Sequence, residues 1–291
     1  MYQLKQRELW ASDVAGYLNR ELSGEDLALE SPYAIRTPVL LKQGGIPDGF
    51  DKLLLITDGS VVEEGFAAVI RSASPELDLA RVLLEFFASM PAHTVHPTAV
   101  VSEHAMIGRN VGIGAHSVIG DGVEIGDNTR IENNVVIHGP ARIGESCVIK
   151  DGAVIGSEGY GFVADEDGKL FHAPQLGLIR IGDRVWIGAN STVERAMIKE
   201  TTIEDDAKID DLVHIGNGST IGPRSRLTAG TVISFDVWLG ADVQVAPSAT
   251  VRHSVTVADG IVIGQGAVVV TDLPEPGGVY VGVPARLLRK A

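Results

Sequence analysis

From Val95 onward the chain places Ile, Leu or Val at every sixth position. The frame runs from Val95 through Ile113 and Ile137 to Ile155. It pauses for 26 residues, resumes at Ile181, Ile187 and Val193, slips by ten, and continues from Ile203 to Val269. Every one of these 26 positions is Ile, Leu or Val, and Gly follows 12 of them. A period of six belongs neither to a helix nor to simple strand alternation. It is the signature of a β-solenoid whose hexads each supply one short strand and one turn, with the aliphatic pointing into a narrow prism. With three hexads per coil, as in left-handed hexapeptide helices, the 26 hexads predict about 8 to 9 coils and a prism about 40 Å tall. Flat solenoid faces of this kind usually pack against copies of themselves.

Residues 1–92 carry no such repeat. Glu8 to Leu22 places Leu9, Val14, Tyr17 and Leu18 at helical spacing. Leu53–Thr57 and Ala67–Ile70 read as buried strands. Ser74 reads as an N-cap with Pro75 at the first helical position, opening a helix to Met90 with Leu79, Val82, Leu83, Phe86 and Phe87 on one face. The predicted class is therefore mainly β: a small α/β domain over 1–92, a parallel β-helix over 93–273 with a loop insertion at 157–178, and a tail over 274–291. The two frame breaks, Ser157 to Leu178 and Glu194 to Thr202, read as loops on one face, where solenoids commonly bind ligands.

Composition narrows the partners. The net charge of −14 disfavours nucleic acid and anionic membranes as general partners. The single Cys147 permits no intrachain disulfide and reads as a small buried residue. The N-terminal stretch shows no apolar signal region, and no run approaches the ~18 apolar residues of a membrane span. The expectation is a soluble cytoplasmic protein without stable membrane insertion.

The run IGSEGYGF…PQLG…IRIGDRVWIGANSTVERA…KIDDLVHIGNGSTIG, with ELDLARVLLEFFASMPAHTVHPTAV before it, resembles the UDP-3-O-acylglucosamine N-acyltransferase family of the lipid A pathway. The resemblance spans about residues 75–270 and keeps both frame breaks. It implies a left-handed β-helix, a homotrimer, active sites between subunits, and acyl transfer to the amine of a nucleotide-linked amino sugar. The sequence departs from the family pattern at four places. Asn217 stands where the family has its catalytic histidine, and Phe235 where it has the glycine of the oxyanion hole. There is no clear Asn-Pro-x-Tyr uridine motif, and the family's C-terminal helices, associated with acyl carrier protein, are replaced by VYVGVPARLLRKA. That ending is similar to CoA-dependent hexapeptide acetyltransferases, so Arg286, Arg289 and Lys290 are candidate donor-binding residues.

Acyl transfer to an amine needs a base and a donor for the oxyanion. Histidine suits the base role. His214 precedes the inward Ile215, faces outward and lies three residues from Asn217. His253 lies 36 residues beyond Asn217, two coils up the same edge, and His138 occupies a small-residue position of the repeat. His214, His253 and His138 are the catalytic candidates, in that order. Asn217, Gly159, Tyr160, Gly161 and His172 are the substrate-binding candidates. A zinc site of the γ-carbonic anhydrase kind is not expected, because no His-x4-His pair exists; neither a metal nor a bound cofactor is called for. The leading reading is a homotrimeric N-acyltransferase that uses acyl-CoA, or acyl carrier protein, as co-substrate. The rival is an inactive relative serving as a nucleotide-sugar-binding or scaffold protein.

Overall fold

The computed structural model describes residues 3–5, 8–44, 53–61, 63–89 and 93–290. The chain divides into two compact units, 1–91 and 92–291.

In the first unit four strands form one sheet in the order Leu22–Gly24, Ala68–Arg71, Leu54–Thr57, Ile35–Arg36. Only the first pairing is antiparallel. Leu54, Ile56, Ala68 and Ile70 bury against Leu9, Val14, Val82, Phe86 and Phe87, so the predicted strands and both predicted helical faces meet in one core. The first helix is shorter than its apolar pattern and spans Ala11–Leu18. The Asp13 carboxylate accepts the Trp10 N–H at 2.9 Å and sets the start, while Asn19 adopts a left-handed φ of 53° and ends it. The second predicted helix begins at Pro75 and runs to Val82, then widens into a π turn over Leu83–Phe87. Ser74 makes no side-chain cap there. Its N–H donates instead to Ser72 Oγ at 2.9 Å. The end of that prediction, Met90, lies outside the described residues.

The second unit is the expected parallel β-helix. Its three faces are stacks of parallel strands. The first face runs from Val100–Val101 to Val268–Val269 in nine strands. The second runs from Met106–Ile107 to Thr256–Val257 in eight. The third runs from Gly112–Ile113 to Gly278–Val281 and is edged by Arg286–Lys290. Undisturbed coils pair at a spacing of 18 residues, as in Ile119 with Ile137 and Ile233 with Val251. All 23 hexad aliphatics from Ile113 to Val269 are at most 4% exposed. Val95, Val101 and Ile107 are more open because the first coil has a coil on one side only.

A second inner column lies two residues before each aliphatic and holds mostly small side chains, with Ile179 and Ile261 as the large ones. Ser117, Thr129, Ser191, Ser219 and Ser225 occupy it, and each hydroxyl donates to a carbonyl of the next coil, as Ser117 does to Glu132 O at 2.7 Å. A buried hydroxyl is tolerated there because its hydrogen bond is built into the corner. Cys147 sits in the same column, with its Sγ 3.1 Å from Gly182 O.

The residues after 273 continue the prism. Gly278–Val281 pairs in parallel with Val262–Ile263, and Arg286–Lys290 folds back antiparallel on it. Lys290 Nζ lies 2.8 Å from Glu275 Oε2. The five exposed residues of that last strand, three of them cationic, close the end of the third face against edge pairing.

Burial pushes the Cys147 thiol up to about 11. The thiolate is therefore scarce at pH 8 as well as shielded. Ellman's reagent should label native protein only at the rate of unfolding, and urea should make labelling immediate. Rapid native labelling would contradict the packing described.

Candidate active site

One corner of the prism, where the chain passes from the first face to the second, collects most of the chemistry. His138 turns this corner between Val136–Ile137 and Ala141–Ile143. In the next coil the first insertion leaves after Val154–Ser157 and rejoins at Leu178–Ile181. The second leaves after Thr192–Glu194 and rejoins at Glu200–Ile203. Asn217, Phe235 and His253 turn the same corner in the three coils that follow.

The two insertions are joined by backbone hydrogen bonds. Leu176, Gly177 and Leu178 donate to the carbonyls of Met197, Ala196 and Lys199 at 2.8, 2.9 and 3.0 Å. The first insertion is a hairpin in which Phe162–Ala164 pairs with Leu170–His172. The Phe162 ring lies between Tyr160 and His172, at centroid distances of 5.0 and 5.1 Å. His172 Nε2 faces Glu158 Oε2 at 3.5 Å. Gly161 folds its N–H onto Gly159 O at 2.9 Å. Tyr160 is 87% exposed and is carried outward by this turn.

Three of the residues singled out from sequence converge on a fourth that was not. Glu194 Oε2 accepts the Asn217 N–H at 3.3 Å. A side chain at Gly159 would place its Cβ 2.5 Å from that same oxygen, so the bare glycine lets the loop close over the carboxylate. Glu194 Oε1 lies 3.9 Å from His214 Nε2. His214 Nδ1 is 2.8 Å from Thr192 Oγ1, its neighbour in the adjacent coil. Glu194 is held where it is by a register shift opposite Ile155 and Ser157 and by Arg195. The Arg195 guanidinium donates to Gly156 O at 2.7 Å and Gly139 O at 3.2 Å. The extra residue of that shift is Gly156 on the partner strand, right after Ile155, where the hexad frame also breaks.

Other candidates stand apart from this group. Phe235 lies between Asn217 and His253 along the corner, and its ring stacks flat on the His253 ring at 4.7 Å. The His253 imidazole is thereby committed to an aromatic contact. His138 is exposed and two coils from Glu194. Arg286, Arg289 and Lys290 lie on the edge strand of the third face, away from the corner.

A groove of about 700 Å³ opens from Asn217 across the second face. Its floor follows from one column of the sheet, in which Arg180, Thr202, Thr220 and Trp238 stand in register. The two short threonines form the recess, and the long side chains on either side form its walls. Arg180 donates to Glu200 Oε1 at 3.1 Å, and Lys199 and Phe235 complete the rim. The lining mixes two cations, Arg180 and Lys199, with the carboxylates of Glu200, Glu204 and Asp236 and the aromatic rings of Phe235 and Trp238, a polar and aromatic recess open to an elongated ligand. Among the described residues no group of three or more His, Cys, Asp and Glu has the arrangement of a metal site. No described helix is long and apolar enough to cross a membrane.

The period of six and the stacked coils place the second unit in the class of parallel β-helices built on a hexapeptide repeat. Residues 122–157 and 200–234 match the bacterial transferase hexapeptide family, and residues 105–138 and 178–210 match the hexapeptide repeat of succinyl-transferase. Within that class the chain resembles UDP-3-O-acylglucosamine N-acyltransferases. It is 48% identical over 183 residues to UDP-3-O-acylglucosamine N-acyltransferase 1 of Koribacter versatilis, covering 56% of this chain and 54% of that one. It is 41% identical over 149 residues to a probable UDP-3-O-acylglucosamine N-acyltransferase 2, mitochondrial, of Arabidopsis thaliana, covering 50% and 49%. The chain thus spans about half the length of the curated relatives it matches. Among solved structures, the UDP-N-acetylglucosamine acyltransferase of Francisella novicida superposes with a TM-score of 0.59 at 25% identity, covering 67% of this chain and 68% of that one. The UDP-N-acetylglucosamine O-acyltransferase of Moraxella catarrhalis superposes at 0.61 and 22% identity, covering 66% and 73%, a likeness of fold.

The joint between the insertions can be tested at Gly177. A Cβ there would lie 2.5 Å from Lys199 O and 2.6 Å from Ala196 O, both backbone atoms. Gly177→Ala should make local opening easier by about 1–3 kcal/mol, the usual cost of overpacking. Amide exchange at Leu176 to Leu178 should speed up accordingly while the coils keep their protection. Unchanged exchange at these amides would mean that the joint is not tight.

Proposed function

We propose that the protein is an N-acyltransferase that moves an acyl group from a thioester donor to the amine of a nucleotide-linked amino sugar. The observation that carries this reading is the corner where His214, Asn217 and Gly159 meet on Glu194, in a region similar to proteins named for that reaction.

The chemistry asks little of the protein. The amine nitrogen adds to the thioester carbonyl and forms the C–N bond. The proton it sheds passes to His214 Nε2. The C–S bond then breaks, and the departing thiolate takes up that proton. The reaction uses the His214 tautomer in which Nδ1–H donates to Thr192 Oγ1 and Nε2 presents its lone pair outward. Asn217 has no basicity to offer and serves to hold the carboxylate and to line the groove. The groove beside it takes the donor, acyl-CoA or an acylated carrier protein. The basic edge strand, where Arg286 and Arg289 reverse the acidic sign of the chain locally and Lys290 is paired with Glu275, lies away from this groove and is a separate candidate for the phosphates of a donor. The working form in this reading is a cytoplasmic homotrimer with the corner at a subunit seam.

Two measurements test the reading. Mixing the protein with a UDP-linked amino sugar and acyl-CoA donors should yield the N-acylated sugar by mass spectrometry, and His214→Ala should slow that transfer at least about 100-fold. Near-wild-type turnover in the variant would remove His214 as the base. Absence of transfer to every amino sugar nucleotide would favour a binding or scaffold role. Light scattering should give three times the chain mass of 30.8 kDa; a monomer at micromolar concentration would exclude a site shared between subunits.

A further inference from the structure

We infer that Glu194 is the residue that receives the acceptor's amine and makes the site prefer an amine over a hydroxyl. The inference rests on the reading above for the nucleotide-linked sugar and adds the group that recognises its reacting atom.

The two titratable side chains at the corner are each fixed by one atom and open at the other. Glu194 Oε2 is tied to the Asn217 N–H and covered by Gly159. Glu194 Oε1 has no hydrogen-bond partner among the described residues. His214 Nδ1 is engaged by Thr192 Oγ1. The remaining pair, Oε1 and Nε2, face each other at 3.9 Å, beyond hydrogen-bond reach. Asn217 Oδ1 lies on the Gly159 side of the carboxylate, 3.3 Å from where a Gly159 Cβ would be. A carboxylate oxygen and, in the tautomer with Nε2 unprotonated, an imidazole lone pair are both acceptors. A primary ammonium has three donors and no acceptor, so it satisfies this set, whereas a hydroxyl brings one donor and two lone pairs.

The carboxylate is also well placed energetically. Its side chain is 18% exposed, so its attraction for a cation is screened less than that of a surface acid. Arg195 follows it in sequence, yet the guanidinium is spent on the Gly156 and Gly139 carbonyls and leaves the carboxylate uncompensated. The bound ammonium first gives one proton to His214 Nε2, which releases it to solvent, and so frees its lone pair. Once the amine has added to the thioester and acquired positive charge, Glu194 stabilises it until His214 takes the second proton and passes it to the departing thiolate. Sequence reasoning places the base on histidines; the structure adds the acid that gives the base its substrate.

The experiment is a calorimetric comparison of UDP-glucosamine with UDP-glucose, which differ at one position of the sugar, amine against hydroxyl. A charge-assisted hydrogen bond to a half-buried carboxylate corresponds to roughly ten- to hundredfold in affinity. The wild-type protein should prefer UDP-glucosamine by at least the lower figure. Glu194→Gln keeps the shape and the Asn217 contact, and should bind both nucleotides alike. Glu194→Asp should retain part of the preference. Equal binding by the wild type, an undiminished preference in Glu194→Gln, or no binding of either nucleotide would each overturn the inference. Binding is read without turnover. A protein that shows the preference, loses it in Glu194→Gln and yet transfers no acyl group would therefore overturn the enzyme reading and leave this one standing.

Discussion

Everything in the second unit depends on in-register stacking of one coil on the next. Apart from the five-residue edge strand Arg286–Lys290, each strand is only two to four residues long, too short to persist alone, and gains its hydrogen bonds from neighbouring coils. Because side chains alternate in and out, a slip of one residue would turn every aliphatic of a strand toward solvent. The stack therefore admits extra residues only where no ladder is interrupted, at the corners. Both insertions obey this rule. The pairing of Val154 with Thr192 spans 38 residues and that of Thr192 with His214 spans 22, yet Ile155, Val193 and Ile215 remain in one buried column.

That rule also explains how a linear repeat comes to own a concave site. Residues 159, 194 and 217 are dispersed in sequence, but a corner is a column, and consecutive coils deliver them to one place. The groove arises by the same logic on the adjoining face. Thr202 and Thr220 are short where Arg180 and Trp238 are long, and the register lines them up. A site built this way inherits the rigidity of the stack, with loops needed only to cover it.

The hexad aliphatics were legible because their period is unmistakable and each answers to a single constraint, burial. The insertions were legible as failures of that period. The inner column of mostly small residues carries a fainter signal, since Ser, Thr, Ala, Val and Cys all satisfy it; Cys147 reads as buried from either view. The first helix is shorter than the span Glu8 to Leu22 because apolar spacing says nothing of Asp13, which sets its start, or of Asn19, which ends it. Counting 36 residues from Asn217 places His253 on the right edge, but counting does not reveal that the Phe235 ring lies flat on it. Glu194 was the hardest to see. As the first residue of an insertion it looks like any charged loop residue. Its meaning lies in its 3.9 Å approach to His214 from the neighbouring coil and in the Arg195 side chain that is anchored elsewhere.

The separation of acid and base in this corner is set by the pitch of the helix. Thr192 and His214 are direct partners on adjacent strands, about 4.8 Å apart as all such neighbours are. Glu194 lies two residues beyond Thr192 on the lower strand, so its carboxylate reaches up toward the imidazole across one interstrand gap. Acid and base placed on the same coil would have been separated along the strand or turned to opposite faces. Placed two coils apart, as His138 is from Glu194, they would be about 10 Å from one another. Only neighbouring coils bring two such groups near enough to share one small donor and far enough not to bond each other directly. The 3.9 Å gap between Glu194 and His214 is thus a consequence of the same strand spacing that holds the prism together.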